Sequence, residues 1–375
     1  RVLFRSVITS SLRLLLRSYL RRRRRLLRKR KRNTGEMIRY LAHITLIFLA
    51  VQCLSNQANS QDIHFSQFFN VPGNYNPGDA GRFDGDYRIG TVYRSQWRTV
   101  TVPFTTFGIS ADANKLFPKK PIGTGIAIFR DQAGDGNFTT TQVNLSGSYK
   151  LPFLSDSTQS ISLGLQVGIT HKSIDFEAFE WGSQFDGVVY NPNLGTNEFF
   201  QNDKNTVFDF HLGAQHKKAF SDKLALTSGV SFFNISFQNQ SFSEEKVPLF
   251  TRTNIQAIAD YQYNEKLKIL PAMNVSLQGK FREWNIGGAV RYNLTESQGV
   301  RQEAGAGLFY RSGDAGYVYF DFIYDKWKTG ISYDFNFSDL KVASNGRGGL
   351  ELTLVYVFKK FRPRIVGGRV CPDFI

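Results

Sequence analysis

From residue 85 onward, apolar and polar side chains alternate in segments of about ten residues, separated by turns rich in Gly, Asn, Asp and Lys. Ile161-Ser162-Leu163-Gly164-Leu165-Gln166-Val167-Gly168-Ile169-Thr170 shows the pattern plainly. The same reading predicts strands over 87–94, 106–113, 123–129, 142–149, 161–170, 207–216, 224–235, 254–263, 267–278, 284–294, 304–310, 317–324, 329–337 and 350–358, fourteen in all. Strands with two such different faces need two different solvents. A soluble sandwich hides the apolar face, whereas a transmembrane barrel turns it to lipid and keeps the polar face for the lumen, with about 9–11 residues per strand. Strand length, the even strand number and aromatic residues near strand ends (Tyr93 with Trp97, Phe232 with Phe233, Tyr317 with Tyr319, Tyr324 with Trp327, Phe358 with Phe361) favour an all-β, transmembrane antiparallel β-barrel of the bacterial outer membrane. Closure also leaves no exposed strand edge.

Connection lengths orient the barrel. With a periplasmic start, the connections after odd strands face outward, and these include the two longest, 171–206 and 236–253. Those after even strands include 217–223, 264–266 and 325–328, all short, as expected of periplasmic turns.

Charge changes the picture only at the N-terminus. The chain carries 47 Lys+Arg and 31 Asp+Glu, but residues 1–36 hold fourteen of the basic residues and one acid. Residues 37–60 add Arg39, leaving 32 basic and 30 acidic side chains beyond residue 60. The body is therefore close to neutral, and no basic surface for nucleic acid is expected. The tract over 1–36 reads as a non-native upstream basic stretch ahead of Met37. Residues 37–60 read as a signal peptide: Arg39, an apolar run from Leu41 to Val51, then Ala58-Asn59-Ser60 before cleavage at Gln61. A periplasmic N-terminal segment over 61–85, a barrel over 86–360 and a periplasmic tail over 361–375 complete the division. The two cysteines, Cys53 and Cys371, exclude a disulfide scaffold, and Cys371 is left as a lone thiol in an oxidising compartment.

No catalytic set emerges. The carboxylate pairs Asp175/Glu177 and Glu244/Glu245 have no base beside them, and His211 and His216 fall on opposite faces of one strand. The run 131–137 superficially resembles a calcium loop but lacks alternate ligands and a terminal Glu, and reads as a strand-connecting turn. Neither enzymatic activity nor a cofactor or metal is expected. The loop after the fifth strand is the richest in candidate chemistry, with Phe176, Phe179, Trp181, Phe185, Tyr190, Phe199 and Phe200 among Gly and Asn residues. Two uses are open to it: a lid folding into the lumen, or an outward surface for a partner protein.

Several stretches resemble the PorP/SprF family of type IX secretion system outer-membrane proteins. Gln61-Asp62-Ile63-His64-Phe65-Ser66-Gln67-Phe68 is similar to the family's Q-D-x-x-F-S-Q-F/Y opening. Asn76-Pro77-Gly78-Asp79-Ala80-Gly81 resembles its N-P-A-x-A-G, with Gly78 and Asp79 departing from it. The Tyr87–Trp97 strand, the Asp131-Gln132-Ala133-Gly134 turn and the ending Cys371-Pro372-Asp373-Phe374 also match. The resemblance implies an outer-membrane barrel that binds and anchors secreted cargo, an adhesin or other protein with a type IX C-terminal domain, at the cell surface during secretion and gliding. Its implied partners are that cargo, outer-membrane lipid and the periplasmic and outer-membrane secretion machinery. Gln61, His64, Phe65, Gln67, Phe68, Asn76, Pro77, Cys371 and Phe374 become candidates for a periplasmic dock or a plug. A porin-like solute channel is the competing function.

Overall fold

The computed structural model describes residues 62–359 except 99–101, 115, 118–119, 157, 197–201, 244–246, 296–299 and 339–343. The basic stretch over 1–36, the signal peptide over 37–60, Gln61, Phe199, Phe200 and the tail with Cys371 and Phe374 lie outside the described residues.

Fourteen antiparallel strands form a closed barrel, each paired to its neighbours in sequence and the last paired to the first. They are β1 (Tyr87–Gln96), β2 (Phe104–Ala113), β3 (Ile122–Ala133), β4 (Phe138–Lys150), β5 (Gln159–Ser173), β6 (Lys204–Ser221), β7 (Leu224–Phe233), β8 (Arg252–Gln262), β9 (Leu267–Gln278), β10 (Phe281–Asn293), β11 (Gln302–Arg311), β12 (Ala315–Tyr324), β13 (Trp327–Asn336) and β14 (Arg347–Phe358).

The side-chain period of two sets the solvent on each face. On β5, Leu163, Leu165, Val167 and Ile169 are exposed, while Ser162, Gln166 and Thr170 between them are buried. A soluble core is thus turned inside out: apolar groups line the exterior, and most buried, inward side chains of the wall are polar, with one aromatic cluster among them. This is the arrangement lipid demands. One group of strand-end aromatics departs from the sequence expectation. Tyr317, Tyr319 and Phe233 are buried and point inward, because they share the luminal parity of their strands. Tyr87, Tyr324, Trp327 and Phe358 do face outward at one rim.

The rim where odd strands end carries the two longest connections, 174–203 and 234–251, along with the short turns 279–280 and 312–314; the opposite rim carries the tight turns 222–223 and 325–326 and no connection longer than eight residues. Besides register shifts near the ends of β6–β7 and β13–β14, the wall is irregular in the middle of the β8–β9 pairing. Pro271 in β9 has no N–H to give Ala259 of β8, and that single lost bond accounts for the two positions missing from an otherwise regular β8–β9 ladder.

Candidate functional site

Residues 62–86 run through the inside of the barrel. Phe65 and Phe68 are buried, and with Phe69 and Tyr75 they form an aromatic core against the wall. Phe65 meets Phe129 at 5.8 Å, Phe68 meets Tyr75 at 5.9 Å, and Phe69 stacks on Phe309 at 5.5 Å. Apolar burial gives the segment adhesion; polar contacts fix its register.

The first fixed point is Ser66-Gln67. Glu351 on β14 accepts both consecutive backbone N–H groups, Ser66 at 2.8 Å and Gln67 at 2.8 Å. Arg94 on β1 donates to Glu351 at 2.9 Å, to Asp334 at 3.0 Å and to Ser66 Oγ at 2.8 Å. Arg311 on β11 reaches Asp334 at 2.6 Å and Ser66 Oγ at 3.0 Å. Arg94 and Glu351 are each only 1% exposed, so two guanidiniums and two carboxylates are compensated away from bulk water. Removing any one of them would strand the rest. Tyr317 adds a hydrogen bond to the Ser66 carbonyl at 2.6 Å, and Thr353 donates to Gln67 Oε1 at 2.6 Å.

Lower in the lumen, Lys328 donates to Asn70 Oδ1 at 2.6 Å, beside the Arg291–Asp321 pair. The third fixed point is Asn76–Gly81. Asn76 caps its own turn by accepting from the Gly78 N–H at 2.8 Å and donates to the Ala214 carbonyl at 3.0 Å. Ser231, Ser162 and Ser148 donate to the carbonyls of Tyr75, Gly78 and Ala80. Arg88 bridges Asp112 at 2.8 Å and Asp79 at 3.1 Å.

The wall is cut to fit this segment. A Cβ on Gly164 of β5 would overlap the Pro77 carbonyl, and one on Gly213 or Gly229 would overlap the Asn76 amide. A Cβ on Gly330 would overlap Gln67 Oε1. These glycines serve close approach of one backbone to another.

His64, Phe65, Gln67, Phe68, Asn76 and Pro77 all belong to this luminal segment, which joins them into one unit. Its first described residue, Asp62, sits at the long-connection rim, where Asn234 donates to its carboxylate at 2.6 Å. At its other end Asp86 donates to the carbonyl of Phe358 at the tight-turn rim. The segment therefore spans the lumen from rim to rim and is not a unit hung at one end.

The candidate loop residues divide. Phe176 lies edge-on to Phe242 of the 234–251 connection at 6.4 Å, and Phe179 meets Trp181 at 5.7 Å above Gly136. These three are half-buried on the rim and do not enter the lumen. Beyond them the chain makes a small hairpin with a Phe185–Tyr190 bridge. The buried Gln184 amide holds it, accepting from the Trp181 N–H at 3.0 Å and donating to the Leu194 carbonyl at 3.3 Å. At the tip, Asp186 Oδ1 accepts the N–H groups of Val188 and Val189, both at 2.9 Å, which holds this carboxyl below the usual carboxylate range. Phe185, Val189 and Tyr190 are exposed and Val188 is 82% exposed.

Sequence reasoning missed Arg94, Arg311, Asp334 and Glu351. Their signal was present as charged residues at luminal parity within strands, but their convergence depends on barrel closure. His211 is buried inside and His216 lies on the other face. Among the described residues, no three His, Cys, Asp or Glu side chains converge as a metal site would.

A family model described as type IX secretion system membrane protein PorP/SprF matches residues 57–356. No curated protein matches the chain. Among solved structures, the CymD monoaromatic hydrocarbon channel is similar at 9% identity and a TM-score of 0.43, covering 78% of this chain and 94% of that one. The Pseudomonas putida toluene transporter TodX is similar at 10% identity and 0.41, covering 76% and 92%. A Pseudomonas aeruginosa FadL homologue is similar at 10% and 0.40, covering 76% and 93%.

Proposed function

Because the chain belongs to the PorP/SprF family of type IX secretion system membrane proteins, we propose that it binds a secreted cargo domain and anchors it at the cell surface, with the long-connection rim facing outward. The observation that carries this reading is the hairpin over 185–190: four apolar side chains are held out from the rim by a hydrogen-bonded base instead of being folded away. Exposed apolar groups in one small, rigid patch are what protein contacts use. Residues 174–203 also contain six acidic and no basic side chains, which suits a cargo face that is apolar and basic. Periplasmic and outer-membrane components of the machinery are the partners of the remaining surface.

The barrel acts here as a rigid mount. A segment seated at three levels in a wall shaped around it supports an anchor over the competing solute channel. Deletion of residues 180–200 tests the reading. Cargo retention on cells should be lost while the barrel still shifts on heating in gel electrophoresis. Retention at the parental level, with the barrel assembled, would remove the cargo role of this loop. Conductance in planar bilayers tests the channel: the intact chain should be silent.

A further inference from the structure

Neighbouring strands of unequal length leave a step in the wall at the long-connection rim. β6 has 18 residues and β7 has 10. β5 accompanies β6 up to the Ser173–Lys204 pair, whereas β7 meets β6 only from the Leu212–Phe232 pair downward. The stretch 204–211 therefore rises past β7 by about eight residues at roughly 3.3 Å each, laddered on its β5 side alone. Peptide groups of a strand point alternately to its two sides. The Phe210 carbonyl accepts the Ile235 N–H at 3.1 Å from the open side, so the even-numbered residues face away from β5. Ser236 Oγ reaches the Phe208 carbonyl from that side at 3.2 Å, and Gln238 Nε2 does so at 3.4 Å. Asn205 Nδ2 donates to the carbonyls of Asn239 and Ser241 at 3.0 and 2.8 Å. The 234–251 connection thus crosses the gap on side chains and one backbone bond, not as a strand. The N–H and carbonyl of Thr206 and the N–H of Phe208 make no hydrogen bond among the described residues. Beside them Phe208 is 68% exposed, and Phe210 and Phe237 are exposed as well.

We propose that an extended segment of the secreted cargo adds to this edge as a further strand, pairing with residues 204–208. This rests on the cargo reading given above. The chemistry of the edge selects the occupant. Its open groups recur every second residue, roughly 6.6 Å apart, the repeat at which another extended chain presents its own carbonyls and N–H groups. A lipid tail offers neither, and unpaired backbone groups are not left facing hydrocarbon. The incoming strand would take over the Phe208 carbonyl from Ser236 and Gln238. Its side chains on the outer face would lie beside Phe208, which favours apolar residues there. β6 is also the strand into which the 174–203 connection leads, so edge and hairpin are parts of one continuous stretch. That connection holds six acidic and no basic side chains, so the strand that fits is apolar at alternate positions and flanked by Lys or Arg.

Residue-resolved amide hydrogen exchange on the purified full-length barrel in detergent tests this, with the purified C-terminal domain of a type IX cargo as the probe. In the free barrel, Thr206 and Phe208 should exchange fast, while Asn205 and Val207, which face β5, exchange slowly. Adding the cargo domain should slow Thr206 and Phe208 by about tenfold or more and leave Asn205 and Val207 as they were. Protection of Thr206 and Phe208 already in the free barrel would overturn the inference. Bound cargo domain with no change at these two residues would do the same while leaving the cargo reading intact. A domain that does not bind at all would overturn both. In cells, Thr206→Pro removes one open N–H at an edge position that tolerates proline, and should lower cargo retention by about tenfold. Full retention in that variant, with the barrel assembled and retention lost on deletion of 180–200, would sink strand addition alone. Full retention in both would sink the cargo reading with it. If the proline blocks assembly, the exchange measurement on the unaltered chain decides.

Discussion

Glu351→Ala is the most direct way to ask what seats the luminal segment. The side chain accepts three hydrogen bonds, from the Ser66 and Gln67 N–H groups at 2.8 Å each and from Arg94 at 2.9 Å. Each neutral buried donor left without a partner costs about 1–3 kcal/mol. Breaking a buried ion pair by removing one member costs about 3–5 kcal/mol. These overlap, because the same groups are counted in both, so the seat should weaken by about 3–5 kcal/mol in total. At about 1.4 kcal/mol per tenfold, the unseated population rises by between about a hundredfold and a few thousandfold. Hydrogen exchange is best read over residues 74–82, which do not touch Glu351, so that any faster exchange there reports release of the whole segment. The variant should exchange faster in that stretch by about the same factor and open intermittently in planar bilayers. Glu351→Gln keeps one acceptor oxygen and should fall between. Unchanged exchange over 74–82 and continued silence, in a barrel that still shifts on heating, would show that the ionic cluster does not set the seat.

Other outcomes follow from single features. Gly164→Val drives a branched side chain into the Pro77 carbonyl and should destabilise the plugged barrel by at least about 1–3 kcal/mol in urea; Gly147→Val, which meets nothing within 4 Å, should leave the midpoint unchanged. Pro271→Ala restores the N–H that the β8–β9 ladder lacks and should raise stability by about 0.5–1.5 kcal/mol, provided the urea midpoint is compared in the same detergent. The Asp186 carboxyl is held below its ordinary value by the Val188 and Val189 N–H groups. Its contribution to the hairpin is present above the ordinary carboxylate range, about pH 4, and is lost as acid protonates it below that. Exchange at Val188 and Val189 should therefore accelerate only below about pH 4, and Asp186→Asn should abolish that step.

The strands were legible because alternation survives any closure: β9 runs Leu267–Gln278, the span read from the pattern. Boundaries were less so. β6 runs on to Ser221, through Lys217 and Lys218, since ladder hydrogen bonds continue after the lipid ends and charged residues are then tolerated. The tyrosines at 317 and 319 were placed with the rim aromatics because sequence shows nearness to a strand end before it shows which face a position takes. The luminal cluster was hidden for a different reason. Ser66 meets Glu351 across 285 positions and Arg94 meets Glu351 across 257, so no local pattern joins them. The opening Phe65-Ser66-Gln67 was visible as a motif, yet its partners come from β1, β3, β11, β12, β13 and β14 and exist together only in the closed ring.

That ring shuts on its own first strand while already holding the residues that precede it. A stretch bearing Phe65, Phe68 and Phe69, buried against a wall whose glycines are in contact with it, would have to be threaded whole into a cylinder already finished. Hairpins that gather around it before closure, with the β1–β14 junction made last, avoid that threading. Anything covalently attached ahead of residue 62 and still tethered elsewhere would hold that junction open, which makes release of the leading end a condition for completing the cylinder.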